Sequence, residues 1–484
     1  MTDNNIDTNN EESTLIKLQN LLDEHCDSDI LPTYPPTRES YTKVDVDDDS
    51  LWTQGDTDTT LQSVQYDTFL GLKLYHTNPI DHINKVCKET GKLFIDYEFC
   101  VSSKVLVDGE LVTPGIITQL NIEDFANSGE PKRVKRIKHY MDKARLNDGS
   151  SSSEWIWVRG SEMPGRQVFA TTESICSQNV IQGKVGNCGF CSGFASLAQQ
   201  FPHVILEAFG VSDITEQIDI SSGAYSICIY PYGGKTKRYL LLDDHVLCTA
   251  GTHSSPALSS NNEKDLWIRF LEKVFVKLQS SYASLDGYYK FNSFYRHPLR
   301  AMQLITGASI ALELHYKQNK VDEVYETLLA TEGSCCRVAH GRKAIEGLFT
   351  GHGYSLLWVG TIAGIQLACV RNPHGNKSYT GEFGRGSTSW DTSDATKVKR
   401  VLNQTEKDNP LTFVKDLLSS TEDNGIFLIR FKKFVKYFPI VSVVGPIEEN
   451  RESLRLPEFK NCLHRLQGNI SCLTEMLNTA CYRT

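Results

Sequence analysis

The pattern of hydrophobic and polar positions divides the chain into three stretches. Residues 1–66 are rich in Asp, Asn, Thr and Ser, so we expect an acidic, largely disordered extension there. From that point to about residue 447, apolar runs recur and predict globular structure. The tail at residues 448–484 has apolar positions at loosely helical spacing, and we expect it to pack on the core as a helix.

Within the globular stretch, the period of the apolar positions predicts both helices and strands. The runs Tyr225–Tyr230 and Arg238–His245 are expected to be strands joined by a turn at Pro231–Gly234. A more β-rich half begins near residue 300, with strands predicted at residues 351–359, 368–373 and 425–431. Leu266–Leu285 is expected to be a helix, with apolar residues on one face at Leu266, Phe270, Val274, Leu278 and Tyr282.

Length, charge and cysteine content narrow the classes of protein to consider. A chain of 484 residues is long enough for about three domains, and its net charge of -9 argues against nucleic acid as the main partner. No apolar run approaches the roughly 18 residues that a membrane span needs, and no signal-peptide core is present. We therefore expect a cytoplasmic protein with no membrane span, in which most of the 14 scattered cysteines are reduced.

The strongest chemical signal is a glycine-rich stretch at residues 182–198 that delivers Cys188 to the start of an apolar, helix-compatible run. At a helix N-terminus, unpaired backbone N–H groups and the helix dipole stabilise a thiolate. Flanking glycines would let a substrate carbonyl approach, and Gln182 could donate a hydrogen bond beside it. Cys188 is therefore the candidate nucleophile.

A cysteine nucleophile needs a base to take its proton and a third group to orient that base. His352 lies between two glycines at the start of a predicted strand, and Asn372 ends the next predicted strand. Antiparallel neighbours would bring the two positions together, so that the amide oxygen of Asn372 accepts a hydrogen bond from the imidazole. Cys188, His352 and Asn372 form the candidate catalytic set.

Several of these motifs resemble those of calpain-type cysteine proteases. Residues 182–197 resemble the family's Gln-Gly-x-x-Gly-Asp-Cys-Trp signature and the residues after it. Gly351–Ser355 is similar to Gly-His-Ala-Tyr-Ser, and Arg371–Gly375 to Arg-Asn-Pro-Trp-Gly. Further matches in the expected order give the resemblance a span of about residues 85 to 445; they lie at Lys92–Phe99, Asp243–Asp244 and Trp267–Tyr282.

The resemblance implies an α+β fold, with a papain-like core of two subdomains. The expected boundaries are residues 67–290 for a helical lobe with the nucleophile and residues 291–447 for a β-rich lobe with His352 and Asn372. It also implies that the Cys188 thiolate attacks a peptide carbonyl, while the Gln182 side chain and the Cys188 backbone N–H form the oxyanion hole. Protein substrates are the implied partners.

The chain also departs from the family pattern. Asn187 replaces an Asp, Gly189 replaces the Trp after the nucleophile, and His374 replaces the Trp after Asn-Pro, so the packing that shields the triad should differ. Calpains are usually gated by calcium, which needs several carboxylates per site. We expect weak or absent calcium binding and predict no cofactor and no metal ligand, because the family's ligand positions fall at Asn179 and Ala283 in one site and at Ser378, Arg385 and Asn424 or Asp423 in the other.

Three hypotheses about function remain. The first is an intracellular calpain-like cysteine endopeptidase with weakened or absent calcium dependence, supported by the presence of all three triad residues. The second is a catalytically inactive calpain-like scaffold or regulatory protein, suggested by Gly189 and His374. The third takes Cys188 and Cys191 as a redox or metal-binding Cys-x-x-Cys motif, although a zinc site would require a second, suitably spaced ligand pair.

Overall fold

A computed structural model describes the chain between residues 56 and 475, with gaps. These residues belong to one compact unit, residues 43–484. Most of the extension predicted to be disordered lies outside the described residues, as does most of the predicted helical tail. The described residues are 56, 60–69, 71–99, 155–183, 185–231, 236–249, 254–279, 282–285, 298–308, 310–316, 319–330, 335–339, 345–376, 379–384, 388–405, 411–412, 414–415, 423–445, 447 and 473–475.

Fifteen strands and eight α-helices make up the described part of the chain. The strands are β1 Tyr66–Phe69, β2 Leu72–Tyr75, β3 Trp155–Arg159, β4 Ile181–Gln182, β5 Ala224–Ile229, β6 Arg238–Asp243, β7 His245–Thr249, β8 Leu258–Ser259, β9 Ile310–His315, β10 Cys335–Ala339, β11 Gly353–Ile362, β12 Ile365–Arg371, β13 Ile426–Arg430, β14 Ile440–Gly445 and β15 Leu473–Glu475. The helices are α1 Ile80–Thr90, α2 Cys188–Gln200, α3 Pro202–Ala208, α4 Trp267–Gln279, α5 Pro298–Thr306, α6 Val321–Ala330, α7 Ser393–Gln404 and α8 Phe431–Tyr437.

Antiparallel pairing joins these strands into one large and three smaller sheets. The large sheet has seven strands in the order β13-β12-β11-β10-β14-β9-β15, and a four-stranded sheet has the order β1-β2-β6-β5. Two-stranded sheets pair β3 with β7 and β4 with β8. The fold is therefore a mixture of α-helices and antiparallel β-sheets.

The predicted elements before residue 300 agree with the structure. The hairpin is confirmed, because β5 and β6 pair antiparallel from Ala224 opposite Asp243 to Ile229 opposite Arg238. The predicted long helix appears as α4, followed by a 3₁₀ turn at Tyr282–Leu285. All five apolar positions that were expected on one face are buried, as the helical period requires.

The strands predicted after residue 300 correspond to β11, β12 and β13, which are neighbours in the large sheet. On β12, Ala368 and Val370 pack in one buried cluster while Leu367 and Cys369 pack in another. Successive side chains of a strand point to opposite faces, so this sheet is covered on both sides. Burial on both faces explains why these strands appear in the sequence as continuous apolar runs.

Part of the tail differs from the prediction of a helix. Leu473–Glu475 forms β15, which pairs antiparallel with β9 at the edge of the large sheet. An edge strand has unpaired backbone groups that a further extended segment can satisfy. The division of the core into lobes at residue 290 remains a prediction from the family resemblance.

Candidate active site

Cys188 is the first residue of helix α2, directly after the buried Asn187. The Cys191 N–H donates to the Asn187 carbonyl at 3.0 Å, which closes the first helical turn. The backbone N–H of Gly353 points at the Cys188 Sγ, with the two atoms 3.4 Å apart. A backbone donor and the positive end of a helix dipole therefore both face the sulfur and favour its anionic form.

The close approach of β11 to α2 depends on Gly353 having no side chain. A Cβ on this residue would lie 3.1 Å from Ser192 Oγ and 3.2 Å from the Cys188 carbonyl oxygen. One turn further along α2, the Ser355 hydroxyl donates to the Ser192 carbonyl at 2.8 Å. These contacts hold the strand that follows His352 directly against the helix that begins at Cys188.

His352 precedes β11, Asn372 follows β12, and the pairing of these strands brings the two side chains together. The His352 Nε2 and the Asn372 Oδ1 are 3.0 Å apart. The same oxygen accepts the His374 N–H at 3.1 Å, while the Asn372 Nδ2 donates to the Asn376 carbonyl at 3.1 Å. This arrangement fixes the amide orientation, so Nε2 carries the hydrogen and Nδ1 is the imidazole atom that can accept a proton.

Aromatic rings surround the imidazole of His352. His374 stacks on it with ring centroids 4.7 Å apart and an interplanar angle of 6°. Phe349 turns an edge towards both imidazoles, at 5.8 Å from each, and Tyr354 lies 5.0 Å from His352. An imidazole therefore covers the catalytic candidate where the family resemblance leads one to expect an indole.

Gln182 lies on β4, beside the segment that carries Asn372. Its backbone N–H donates to the Pro373 carbonyl at 2.8 Å, and its Nε2 donates to the Val185 carbonyl at 2.9 Å. An amide nitrogen carries two hydrogens, so the Val185 contact uses one of them. The side chain is held in a buried position just before the turn that leads to Cys188.

Asn187 and Glu272 form a buried pair that the sequence reasoning missed. The Asn187 Nδ2 donates to the Glu272 Oε1 at 2.6 Å, and the Leu258 N–H donates to the same carboxylate. Burial raises the pKa of Glu272 to about 8, against the weaker opposing effect of these hydrogen bonds. One sequence feature could have indicated this pair. Glu272 is a charged residue in the amphipathic helix α4, and it is followed directly by a second charged residue, Lys273.

Glu272→Gln is expected to make the protein more stable, by an amount that grows with pH. The unfolded chain loses the Glu272 proton near its ordinary pKa of about 4.5, whereas the folded chain retains it up to about pH 8. Wild-type stability therefore falls across this window, by at most about 1.4 kcal/mol per pH unit, and a glutamine removes that loss. Between pH 5 and pH 7 the variant should gain about 2 kcal/mol relative to wild type in urea unfolding. The exposed Glu162→Gln is the control, and parallel pH curves for Glu272→Gln and wild type would contradict the expectation.

The structure describes the side chains at three of the positions that correspond to calcium ligands in the resemblance, and each makes hydrogen bonds close by in the chain. The Asn179 Nδ2 donates to the carbonyls of Glu173 and Ser174, at 2.9 and 3.2 Å. Calcium is bound by oxygen acceptors, whereas this amide nitrogen is a hydrogen-bond donor. Asp423 and Asn424 each accept a backbone N–H in the turn before β13. The side chain of Ala283 and all of Ser378 and Arg385 lie outside the described residues.

The described part of the chain contains neither a cluster of metal-ligating side chains nor a membrane-spanning helix. No group of three or more His, Cys, Asp and Glu side chains in this part is arranged to hold a metal ion. None of the helices there is long and apolar enough to cross a membrane. Neither Cys188 nor Cys191 forms a disulfide, and burial raises the pKa of the Cys191 thiol.

Comparison with known proteins gives one family match. Residues 138–445 match the model of the calpain family cysteine proteases. The matched segment contains Gln182, Cys188, His352 and Asn372, and it excludes the N-terminal extension.

Individual relatives are similar at a lower level. The chain is 26% identical over 265 residues to the calpain-type cysteine protease ADL1 of Oryza sativa subsp. japonica, a match that covers 51% of this chain and 11% of the rice protein. It is 25% identical over 329 residues to calpain-5 of Caenorhabditis elegans, covering 60% and 47%. With calpain-9 of Homo sapiens the identity is 23% over 332 residues, covering 64% and 42%. The matches thus span less than half of each of these relatives.

Proposed function

Because the chain belongs to the calpain family of cysteine proteases, we propose that it is an endopeptidase that hydrolyses protein substrates through Cys188, His352 and Asn372. One observation carries this proposal above the others. The Asn372 Oδ1 holds the His352 Nε2 at 3.0 Å while the residue next to His352 directs its N–H at the Cys188 sulfur. These two contacts support the proposal that nucleophile, base and orienting group lie together.

In the proposed reaction, the Cys188 thiol gives its proton to the His352 Nδ1, and the thiolate attacks the peptide carbonyl carbon. The carbonyl oxygen becomes an oxyanion, which the Cys188 backbone N–H and the remaining Gln182 Nε2 hydrogen are proposed to bind. The C–N bond then breaks, and the proton on Nδ1 passes to the leaving amine. Water, deprotonated by the same imidazole, hydrolyses the thioester and releases the second product.

The proposed role of Asn372 is to orient the imidazole rather than to react. Its amide is fixed by three hydrogen bonds, so it holds the imidazole in the tautomer with the hydrogen on Nε2. The stacked His374 ring shields this hydrogen bond from water, which strengthens it.

We further propose that the core is assembled without calcium. At the position of the first of the family's two calcium sites, the amide nitrogen of Asn179 donates hydrogen bonds to the carbonyls of Glu173 and Ser174. This loop leads directly to β4 and Gln182. The Asn179 hydrogen bonds therefore help to fix the backbone that positions Gln182, the proposed oxyanion-hole residue. A cation at the same place would meet an N–H donor instead of a carboxylate.

Purified protein is expected to cleave a denatured, fluorescently labelled protein, and a calcium chelator should leave the rate within twofold. The physical reason is that the Asn179 hydrogen bonds replace the ion as a link in this loop. Cleavage that requires added calcium would refute calcium independence while supporting the peptidase. Absence of cleavage under both conditions would refute the peptidase and favour the inactive scaffold.

We propose the partners and the location on the basis of the sequence. The proposed substrates are proteins, and the net charge of -9 gives no support for nucleic-acid binding. A cytoplasmic location is part of the same proposal.

A further inference from the structure

Phe349 exposes an aromatic side chain beside the candidate catalytic histidine. Three large apolar side chains are exposed in the described part of the chain, namely Tyr66, Leu329 and Phe349. Phe349 is 37% exposed, and its ring contacts both His352 and His374. An exposed apolar surface that adjoins reacting groups is suited to contact a ligand rather than to stabilise the fold.

Three interactions fix the loop that carries Phe349. The Phe349 N–H donates to the buried Tyr354 hydroxyl at 2.8 Å, and a β-bridge joins Ile345 to Leu348. The Glu346 carboxylate pairs with the Lys433 Nζ at 3.0 Å. The ring is therefore presented by a fixed backbone, so binding against it costs little conformational entropy.

The direction of proton transfer defines which part of a substrate would contact this ring. The His352 Nδ1 must deliver its proton to the leaving amine, so the substrate residue that carries this amine lies next to the imidazole. This residue is the first one after the cleaved bond, the P1′ residue. Phe349 and His374 border the imidazole on its edge and on one face, and together we name them the aromatic ledge.

We propose that Phe349 is a specificity-determining residue, which with His374 binds the P1′ side chain and selects large apolar residues there. The proposal rests on the endopeptidase function proposed above. The nearest carboxylate of this loop, on Glu346, is already paired with Lys433. A charged P1′ side chain would thus lose water against an aromatic ring without gaining an opposite charge, whereas an apolar one would gain contact area.

The test uses a peptide that the wild-type protein cleaves at a mapped bond, varied only at P1′ among Phe, Leu, Gly and Asp. Wild type should prefer Phe and Leu over Asp by about tenfold or more in kcat/KM, in the range of discrimination that apolar contacts supply. Phe349→Ala should lower kcat/KM about five- to tenfold for the Phe and Leu peptides and less than twofold for Gly. Phe349→Leu should restore most of the preference, and Leu329→Ala, at an equally exposed apolar position on α6, should change nothing.

A general loss of activity in Phe349→Ala, equal for all four peptides, would show that the ring only supports His352 and would overturn the proposal. Equal kcat/KM of the wild-type protein for all four P1′ residues would also overturn the proposal. The alkylation rate of Cys188 by iodoacetamide shows whether the site of each variant is intact.

Failure of the peptidase itself is distinguishable, because then no peptide is cleaved by wild type. The ledge is still tested by alkylation of Cys188 with iodoacetamide and with N-benzyl iodoacetamide. Wild type should react at least about fivefold faster with the benzyl reagent than with the parent reagent, and Phe349→Ala should lose this preference. Equal rates in wild type would reject the ledge independently of hydrolysis.

Discussion

Cys188→Ala is expected to lower kcat/KM for protein or peptide hydrolysis by at least about 1000-fold. The thiolate forms the acyl intermediate, and alanine has no atom that can replace it. The Cys188 sulfur is also the atom that the Gly353 N–H faces at 3.4 Å, at the first residue of α2. The measurement is the initial cleavage rate of a labelled protein, with unfolding by urea to show that the variant is folded.

Cys191→Ala is the matched control, because it removes a thiol from the same helix one turn later. The Cys191 sulfur is buried near the carbonyls of Val180 and Pro373, and burial raises the pKa of its thiol, so this residue is expected to be unreactive. A thiol-reactive activity probe should label wild type and Cys191→Ala but not Cys188→Ala. Labelling and cleavage that survive in Cys188→Ala and disappear in Cys191→Ala would exchange the roles of the two cysteines.

Lys273→Ala is expected to destabilise the protein by about 3–5 kcal/mol, since it leaves a carboxylate buried without its main cation. Lys273 and Asp243 are both almost completely buried and form a direct ion pair. The Lys273 Nζ also donates to the Asp243 carbonyl at 2.7 Å. Burial alone would raise the pKa of Asp243, but Lys273 and His245 hold it well below its ordinary value. Urea unfolding at pH 7 measures this decrease in the free energy of unfolding.

The destabilisation by Lys273→Ala should depend on pH. In wild type the depressed pKa of Asp243 contributes stability above the unfolded pKa of about 3.8, and this contribution is lost as pH falls through the folded pKa. Without Lys273, burial dominates and the folded carboxyl takes up a proton more readily. The difference from wild type should therefore shrink between pH 7 and pH 4. Lys397→Ala, in an exposed pair with Asp394, should change stability far less than Lys273→Ala at either pH, and a similar loss in both variants would argue against the buried pair.

The apolar runs, together with the residues that bound them, predicted the two strands next to His352 and Asn372. The glycines around His352 and the Asn-Pro pair marked a strand start and a strand end, and β11 and β12 lie there as antiparallel neighbours. Their pairing, with Ser355 opposite Arg371 at the open end of the hairpin, brings His352 and Asn372 within hydrogen-bond distance, and a hairpin with a short turn leaves few alternative pairings. Local sequence rules therefore predicted the two strands and the contact between His352 and Asn372, while the catalytic roles of these residues stay a prediction.

The features that sequence reasoning missed involve residues far apart in the chain. Asn187 and Glu272 are separated by 85 positions, and no local pattern indicates that they meet. The helix α4 was predicted from its apolar face, yet its charged residues Lys273 and Lys277 are buried as well. They are buried because carboxylates from other segments, on Asp243 and Asp96, neutralise them. A period of 3.6 residues identifies the apolar side of a helix but cannot show that the other side also meets protein.

The hairpin of β11 and β12 has a consequence for the order in which the site is assembled. Its histidine and asparagine are 20 positions apart, while the contact of Gly353 with the Cys188 sulfur closes a loop of 165. Shorter loops cost less chain entropy to close, so the His352–Asn372 pair can form early and locally, whereas Cys188 joins it only through long-range docking. Local opening where α2 meets β11 would then separate the Cys188 sulfur from an intact imidazole–amide pair, so under the proposed function this contact is the point at which the site is completed or interrupted.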